Sequence, residues 1–377
     1  MTVWPYKPLT PLQETLSWLT DIIMTYEGEQ RIALRDVPRR VFNFDHLLNA
    51  QAAFGARAIY RETLDYQIPD WTQTDVANIT AGLSVSVAIT SPYYESGGAA
   101  LIWVDSDTFE VVQVDSVASD GGSIVLAEVL TSVNNAFVMP LYNGLSTAQF
   151  SAAVNAGGFI RSSFQATVYS SAEISASNYP QYKGHDVMDF CPNVASGSLD
   201  TFIVWPYVVV DNETSIAEQF KERSRLDNVF FVRWQAFNDA DQNELRQWLY
   251  SRKGRQKAFW LPSWLNDLPL QQSIGSAATV ITTALPSAEV ALLNTLDIEI
   301  KTSSAVYRRE VTSMNITGGG LLELTIDAPL GVNVAIGSVE RISILRCVRF
   351  NVDSFDLQHA ARAGFTVSIP TIEIPLP

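Results

Sequence analysis

The feature that most constrains this chain is that its landmarks occur twice, in the same order. Trp4-Pro5-Tyr6 returns as Trp205-Pro206-Tyr207, Glu29-Gln30 as Glu218-Gln219, and Pro69-x-Trp71 as Pro262-x-Trp264. Val114-x-Ser116 with Gly121-Gly122 returns as Val311-x-Ser313 with Gly318-Gly319, and Gly158-Phe159 as Gly364-Phe365. The separations run from 189 residues (Glu29 to Glu218) to 206 (Gly158 to Gly364), a drift that loop insertions and deletions absorb. At 377 residues and 47% apolar content, the chain is long enough to bury two cores of ordinary domain size. The expected organisation is a first unit over residues 1–170, a Ser/Gly-rich linker or extended segment over 171–200, and a second unit over 201–377. An enzyme needs one asymmetric constellation, whereas two equivalent bodies in one chain suit a surface or a ring.

Net charge narrows the partners. A balance of −15 opposes a grip on nucleic acid, which needs a Lys/Arg-rich face to displace counterions from phosphates. Charged residues make up 17%, below the roughly one quarter typical of soluble domains, so much of the surface is expected to make contacts, as in a subunit of an assembly. Cys191 and Cys347 fall in different units at positions that do not correspond, which rules out a disulfide framework and reads as two buried small apolar side chains. The opening Met1-Thr2-Val3-Trp4-Pro5 has no basic segment followed by an apolar core, and no stretch approaches the roughly 18 apolar residues of a membrane span. Synthesis and folding are expected in the cytosol.

Periodicity then assigns the elements. Between Thr10 and Thr25, the residues Leu12, Leu16, Leu19 and Ile22 are spaced for one helical stripe, so a short amphipathic helix or a docking arm fits. Glu29 to Arg35 and Val41 to Phe44 alternate as antiparallel strands around Pro38. A helix over Asp45 to Tyr60, with Leu47, Leu48, Ala52 and Phe54 as core candidates, leads to Pro69. In the second unit, Val229 to Trp234 is a strand and Asn238 or Asp239 caps the clearest helix. Leu245, Trp248 and Leu249 form that helix's stripe, Gly254 closes it, and Ala258 to Pro262 is the next strand. The remainder reads as β: Leu83–Ile89, Ala99–Val104, Glu110–Val117 and Ser123–Val129, then Thr295–Thr302, Tyr307–Met314 and Leu321–Ile326, with Ser343–Asn351 and Phe365–Ile374 closing the chain. The fold class is therefore mainly β, two tandem related β-sandwich or barrel domains with one helix each.

Little in the chain reads as chemistry. His46, His185 and His359 are far apart and have no metal-ligand spacing, and no phosphate loop, nucleophile elbow or dinucleotide fingerprint occurs. No cofactor, metal or catalytic residue is expected. The cluster Gly184-His185-Asp186-Val187-Met188-Asp189 reads as surface polar residues, and the basic run Arg246, Arg252, Lys253, Arg255 and Lys257 as a solvated helix end that could meet an acidic partner. Trp71 and Trp264, each two residues after a strand-ending proline, either cover a barrel mouth or reach a neighbour.

At Trp4-Pro5-Tyr6, Glu29 to Arg40 and Ala258 to Trp264, the chain resembles tail proteins of long-tailed bacteriophages, most of all tail-tip proteins of the distal tail type. The likeness runs over most of the chain and its motifs are structural. It implies β-sandwich domains of the tail-tube type, a ring at the distal end of the tail tube, and a joint between the tail tube protein and the hub or host-binding tip proteins. Many distal tail proteins carry one ring-forming domain, so a duplicated chain implies either a homo-oligomeric trimer with pseudo-six-fold symmetry or a hexamer. The candidate interface residues are Trp4, Tyr6, Arg39, Arg40, Trp71, Trp205, Tyr207, Arg252, Lys253 and Trp264. The rival reading is a carbohydrate-binding adhesin in which exposed Trp and Tyr side chains stack on sugars.

Overall fold

The computed structural model describes residues 1–374 except 26–27, 147, 155–157, 170–173, 175–177, 193–199, 205–206, 212–217, 222–226, 286–295, 318–319 and 361–363. The fold is mainly β, with two α-helices among the described residues. Residues 1–168 hold β1 (Thr2–Val3), β2 (Leu12–Ser17), β3 (Thr20–Met24), β4 (Glu29–Ala33), β5 (Arg39–Leu48), α1 (Ala50–Glu62), β6 (Asp65–Pro69), β7 (Asp75–Ile79), β8 (Gly82–Ala88), β9 (Ala99–Trp103), β10 (Phe109–Val117), β11 (Ser123–Val129), β12 (Val133–Leu145), β13 (Ser151–Val154) and β14 (Ile160–Val168). Residues 181–373 hold β15 (Gln181–Tyr182), β16 (His185–Val187), β17 (Asp200–Val204), β18 (Tyr207–Val210), β19 (Glu218–Lys221), β20 (Asp227–Ala236), α2 (Asp239–Arg252), β21 (Phe259–Pro262), β22 (Val280–Ala284), β23 (Leu296–Thr302), β24 (Val306–Thr317), β25 (Leu321–Ile326), β26 (Val339–Phe350), β27 (Ser354–His359) and β28 (Phe365–Glu373).

One pattern of strand pairing occurs in both halves. In the first, β5 lies between β2 and β14, β6 beside β12, β9 between β10 and β12, β11 between β8 and β10, and β13 against β14. In the second, β20 lies between β17 and β28, β21 beside β26, β23 between β24 and β26, β25 between β22 and β24, and β27 against β28. A separate hairpin follows the first of these strands each time, β3 with β4 and β18 with β19. A short strand runs parallel to the one after the helix, β1 on β6 and β16 on β21.

Several sequence landmarks fall at matching points of these ladders. Glu29 faces Met24 and Glu218 faces Val210, each at the turn end of its hairpin. Pro69 faces Leu141 and Pro262 faces Leu345. The motif Val114-x-Ser116 is a β-bulge, since Val114 faces Leu126 while Ser116 faces Val125 and leaves Asp115 as the extra residue. Val311-x-Ser313 repeats it, with Val311 facing Ile326 and Ser313 facing Thr325. The opening motif does not match in this way. Trp4 N donates to Gln67 O beside β6, and beside β21 the same bond, 3.0 Å in both cases, comes from Met188 N to Trp260 O. In chain order Trp205 follows β17 as Trp18 follows β2; Trp205 and Pro206, and with them the Gly318-Gly319 landmark, lie outside the described residues.

Several expectations are corrected. The helix expected over Thr10–Thr25 is two strands, β2 and β3: Leu12 and Leu16 satisfy both periods, but Leu19 is exposed and the buried set is Leu12, Glu14 and Leu16. The first helix starts at Ala50, where Asn49 caps it by accepting from Ala52 N at 2.8 Å, so Leu47 and Leu48 belong to β5. The helix turns Ala53 and Ala56 inward, which puts Phe54 on the far side, 77% exposed. Part of the expected linker joins the sheet as β15 and β16, and a further strand, β27, lies between the two closing strands read from the sequence. Cys191 is exposed where a buried side chain was expected, while Cys347 is buried.

One core of the first half is organised around Trp4, which has no exposure and stacks on Phe164 at 3.9 Å and 8°. Its indole N–H donates to His46 Nε2 at 3.1 Å, so that nitrogen is the acceptor and Nδ1–H donates to Lys7 O at 3.0 Å. Both bonds require the neutral ring, and burial pushes its pKa down from 6.5 to about 4. Between those values the unfolded chain binds a proton that the folded one refuses. The stabilisation is whole above about pH 6.5 and is lost as pH falls toward 4, on the order of 3 kcal/mol in total. Thermal melts from pH 7 to pH 4 should show this decline, and a flat profile would contradict it.

Candidate assembly interface

Strand β2 belongs to both halves. It pairs antiparallel with β5 on one side, Leu16 opposite Arg40, and with β27 on the other, Leu16 opposite Phe355. Through it the strands of the two halves form one continuous hydrogen-bonded network. Leu12 packs in the first core, whereas Leu16 and Trp18 pack in the second, where Trp18 meets Tyr250 edge-on at 5.5 Å and Phe355 at 5.3 Å. Burying side chains of this size stabilises by about 1.5–3 kcal/mol each, and here that energy ties residues 12–18 to residues 230–369.

Alternation places Glu14 between Leu12 and Leu16 on the buried face, with no exposure. A carboxylate there must be compensated. Arg40 from β5 donates Nε–H to Glu14 Oε1, and Arg246 from α2 donates to both carboxylate oxygens, the Nη1 bond to Oε1 being 3.0 Å. His359 Nε2 lies 2.9 Å from Glu14 Oε2. Arg40 Nη2 also donates to Asp70 Oδ2 at 2.6 Å, and Tyr93 presents its ring to both guanidiniums, 5.8 Å from Arg40 and 5.4 Å from Arg246. Two guanidiniums against two carboxylates sum to zero only if the imidazole is neutral. Burial pushes the His359 pKa down and outweighs the pull of Glu14, so Nε2–H donates to the carboxylate. Burial alone would raise the Glu14 pKa, but Arg246, Arg40 and the His359 bond hold it well below the usual carboxylate range.

A second set of bonds seals the segment around this cluster. Asp353 accepts from Thr20 N and Thr20 Oγ1, both at 2.9 Å, and Arg349 grips Glu29 through bonds of 2.5 and 2.8 Å. Lys253 reaches Asp36 at 3.1 Å. The hairpin β3–β4 is thereby held to the second half.

The expected contact residues divide. Trp4, Tyr6, Arg40 and Arg252 are buried within the single chain, where candidate interface positions were expected. Arg252 lies over Trp248 at 4.4 Å and donates to Asp186, so the cluster around His185 and Asp186 neutralises a buried cation where solvated polar residues were expected. The basic run is no solvated helix end either, because Arg246 and Arg252 are both buried. Trp71 packs edge-on against Trp103 at 5.1 Å, and Trp264, at φ 53°, packs on the second core. Arg39 and Tyr207 are exposed, Lys253 is half-buried, and Trp205 lies outside the described residues.

Glu14 and Trp18 belong to no motif in the sequence, and His359 stands there only as a histidine without metal-ligand spacing. A charged residue flanked at two-residue spacing by leucines was the available signal for Glu14. A cleft of about 780 Å³ opens where the halves meet, lined among others by Lys7, Trp71, Asp75, Asn238, Gln242 and His359. Asp75 Oδ1 accepts from Thr90 N and Oγ1 at 2.9 and 2.8 Å and His359 is committed to Glu14, while Asp75 Oδ2 and Trp71 Nε1 are buried without a hydrogen-bond partner. Among the described residues no group of three His, Cys, Asp or Glu side chains is placed to hold a metal ion, and no helix is long and apolar enough to cross a membrane. The chain matches no protein-family model and no curated protein.

Removing Glu14 leaves Arg40 and Arg246 facing each other without water. Glu14→Leu should therefore lower the unfolding free energy by about 3–5 kcal/mol. Glu14→Leu combined with Arg246→Met should recover part of that loss; urea titration reads both, and a loss below about 1 kcal/mol in the single variant would show the cluster to be unimportant.

Proposed function

We propose that this chain is a structural ring subunit of a bacteriophage tail tip, joining the distal end of the tail tube to the hub or host-binding tip. The observation that carries the reading is the strand ladder that recurs over residues 2–168 and 185–373, read here as two tandem related β-sandwich or barrel domains of the tail-tube type. The resemblance of Glu29 to Arg40 and of Ala258 to Trp264 to distal tail proteins supports the same assignment. Two similar domains side by side in one chain present similar surfaces in sequence around an axis, so three copies supply six domains to a six-fold tube; six chains with the second domains in another layer is the alternative.

The side chains with unusual chemistry serve this architecture. Glu14, Arg40, Arg246 and His359 are spent on fixing one half against the other. The purified protein should form closed rings with a mass of three or six chains in native mass spectrometry and by electron microscopy. A strictly monomeric protein at high concentration would sink the ring reading.

A further inference from the structure

The internal joint between the halves has a donor, β2 with the hairpin β3–β4, and an acceptor, β27 with the face of α2 around Arg246 and Tyr250. Each has a counterpart in the other half that is paired on one side only among the described residues. The counterpart of β2 is β17, which among the described residues pairs with β20 alone. The counterpart of β27 is β13, which pairs with β14 alone. An unpaired strand edge is a template for adding another strand, and proteins that leave one bare and apolar use it or aggregate.

The exposure pattern fits a withheld partner. Leu16 is 0% exposed within the internal joint, while Ile203, in the matching place on β17, is 60% exposed. Phe202 and Val204 beside it are exposed as well, and so are Val208 and Val209 on the β18–β19 hairpin. On the acceptor side, Val154 on β13 is 74% exposed, and Phe54 and Leu64 at α1 are exposed where the matching Asn243 and Lys253 at α2 are half-buried. Arg57 occupies in α1 the place that Arg246 holds in α2, eight positions into each helix, and it too is exposed.

Resting on the ring reading above, we propose that β17 of one copy adds antiparallel to β13 of a second copy, reproducing between chains the β2–β27 joint within the chain. The register follows from the ladders. Gln13 and Asp200 hold matching places on β5 and β20, and Gln358 and Ala153 hold matching places on β28 and β14. Gln13 pairs with Gln358, so Asp200 pairs with Ala153 of the second copy and Phe202 with Ser151. The contact is head to tail, because donor and acceptor are different surfaces, and it repeats until the ring closes. Thr201 stands where Glu14 stands in β2, so the buried carboxylate is not repeated. The joint between chains therefore rests on the apolar contacts and backbone bonds, and suits subunits that fold first and assemble afterwards.

Two proteins with one added cysteine each test this, Asp200→Cys and Ala153→Cys, both in a Cys191→Ser background that leaves the buried Cys347 as the other thiol. Mixed and oxidised, they should give a disulfide-linked dimer that neither gives alone. The variant Ile203→Asp alters an exposed residue and should keep its melting temperature while its association weakens at least tenfold by analytical ultracentrifugation. A protein that forms rings but gives no cross-link, and whose association Ile203→Asp leaves unchanged, would overturn the strand assignment and spare the ring reading. A wild-type protein that stays monomeric would overturn both.

Discussion

A carboxylate with no access to water sits at the centre of this molecule, and the relation between its two halves depends on it. Glu14 is carried into the interior by the alternation of β2, with a leucine two residues away on each side. Its compensation comes from both halves, Arg40 from one, Arg246 and His359 from the other. A buried ion cluster of this kind adds little net stability over an apolar core of the same shape. What it supplies is geometry, because bonds this short and directional are lost if α2 or β27 shifts against β5.

The same strand explains how one half closes a face that the other leaves bare. Once β2 pairs with β27, Leu16 and Trp18 complete the second core, and Glu29 and Thr20 find Arg349 and Asp353 beyond it. β17 follows the same course along β20 and β18–β19 forms the matching hairpin, and among the described residues neither pairs with a strand of the other half. One half's joint is satisfied inside the chain and the other's faces outward, which is the asymmetry that head-to-tail assembly needs.

Much of the β architecture was legible in the sequence because the strands alternate cleanly and their turns carry glycine. The pairs Val114-x-Ser116 and Val311-x-Ser313 recurred because a bulge imposes the same backbone requirement in both halves. The helix α2 was legible from its cap and stripe. Residues 10–25 misled because Leu12 and Leu16, four apart, fit a helix and a strand equally, and what separates the two is whether Glu14 is buried. That depends on Arg246 and His359, 232 and 345 residues away along the chain. Shorter separations, 30 residues from Arg40 to Asp70 and 66 from Arg252 to Asp186, hid the fate of these two arginines, which as isolated cations read as surface and in the fold each meet a carboxylate. Tyr6 and Tyr207 matched as words and not as places, since Tyr6 precedes β2 whereas Tyr207 opens β18 after β17, and three-residue identity carries no information on which strand precedes it.

The account stands on β2 being a structural member of both halves at once. Amide hydrogen exchange resolved over Leu12–Ser17 measures that directly. The expected result is that these amides exchange as slowly as those of β5 and β27, and that both halves lose protection together in one cooperative opening. Fast exchange along β2 while both ladders stay protected, or two halves that open in separate transitions, would contradict it.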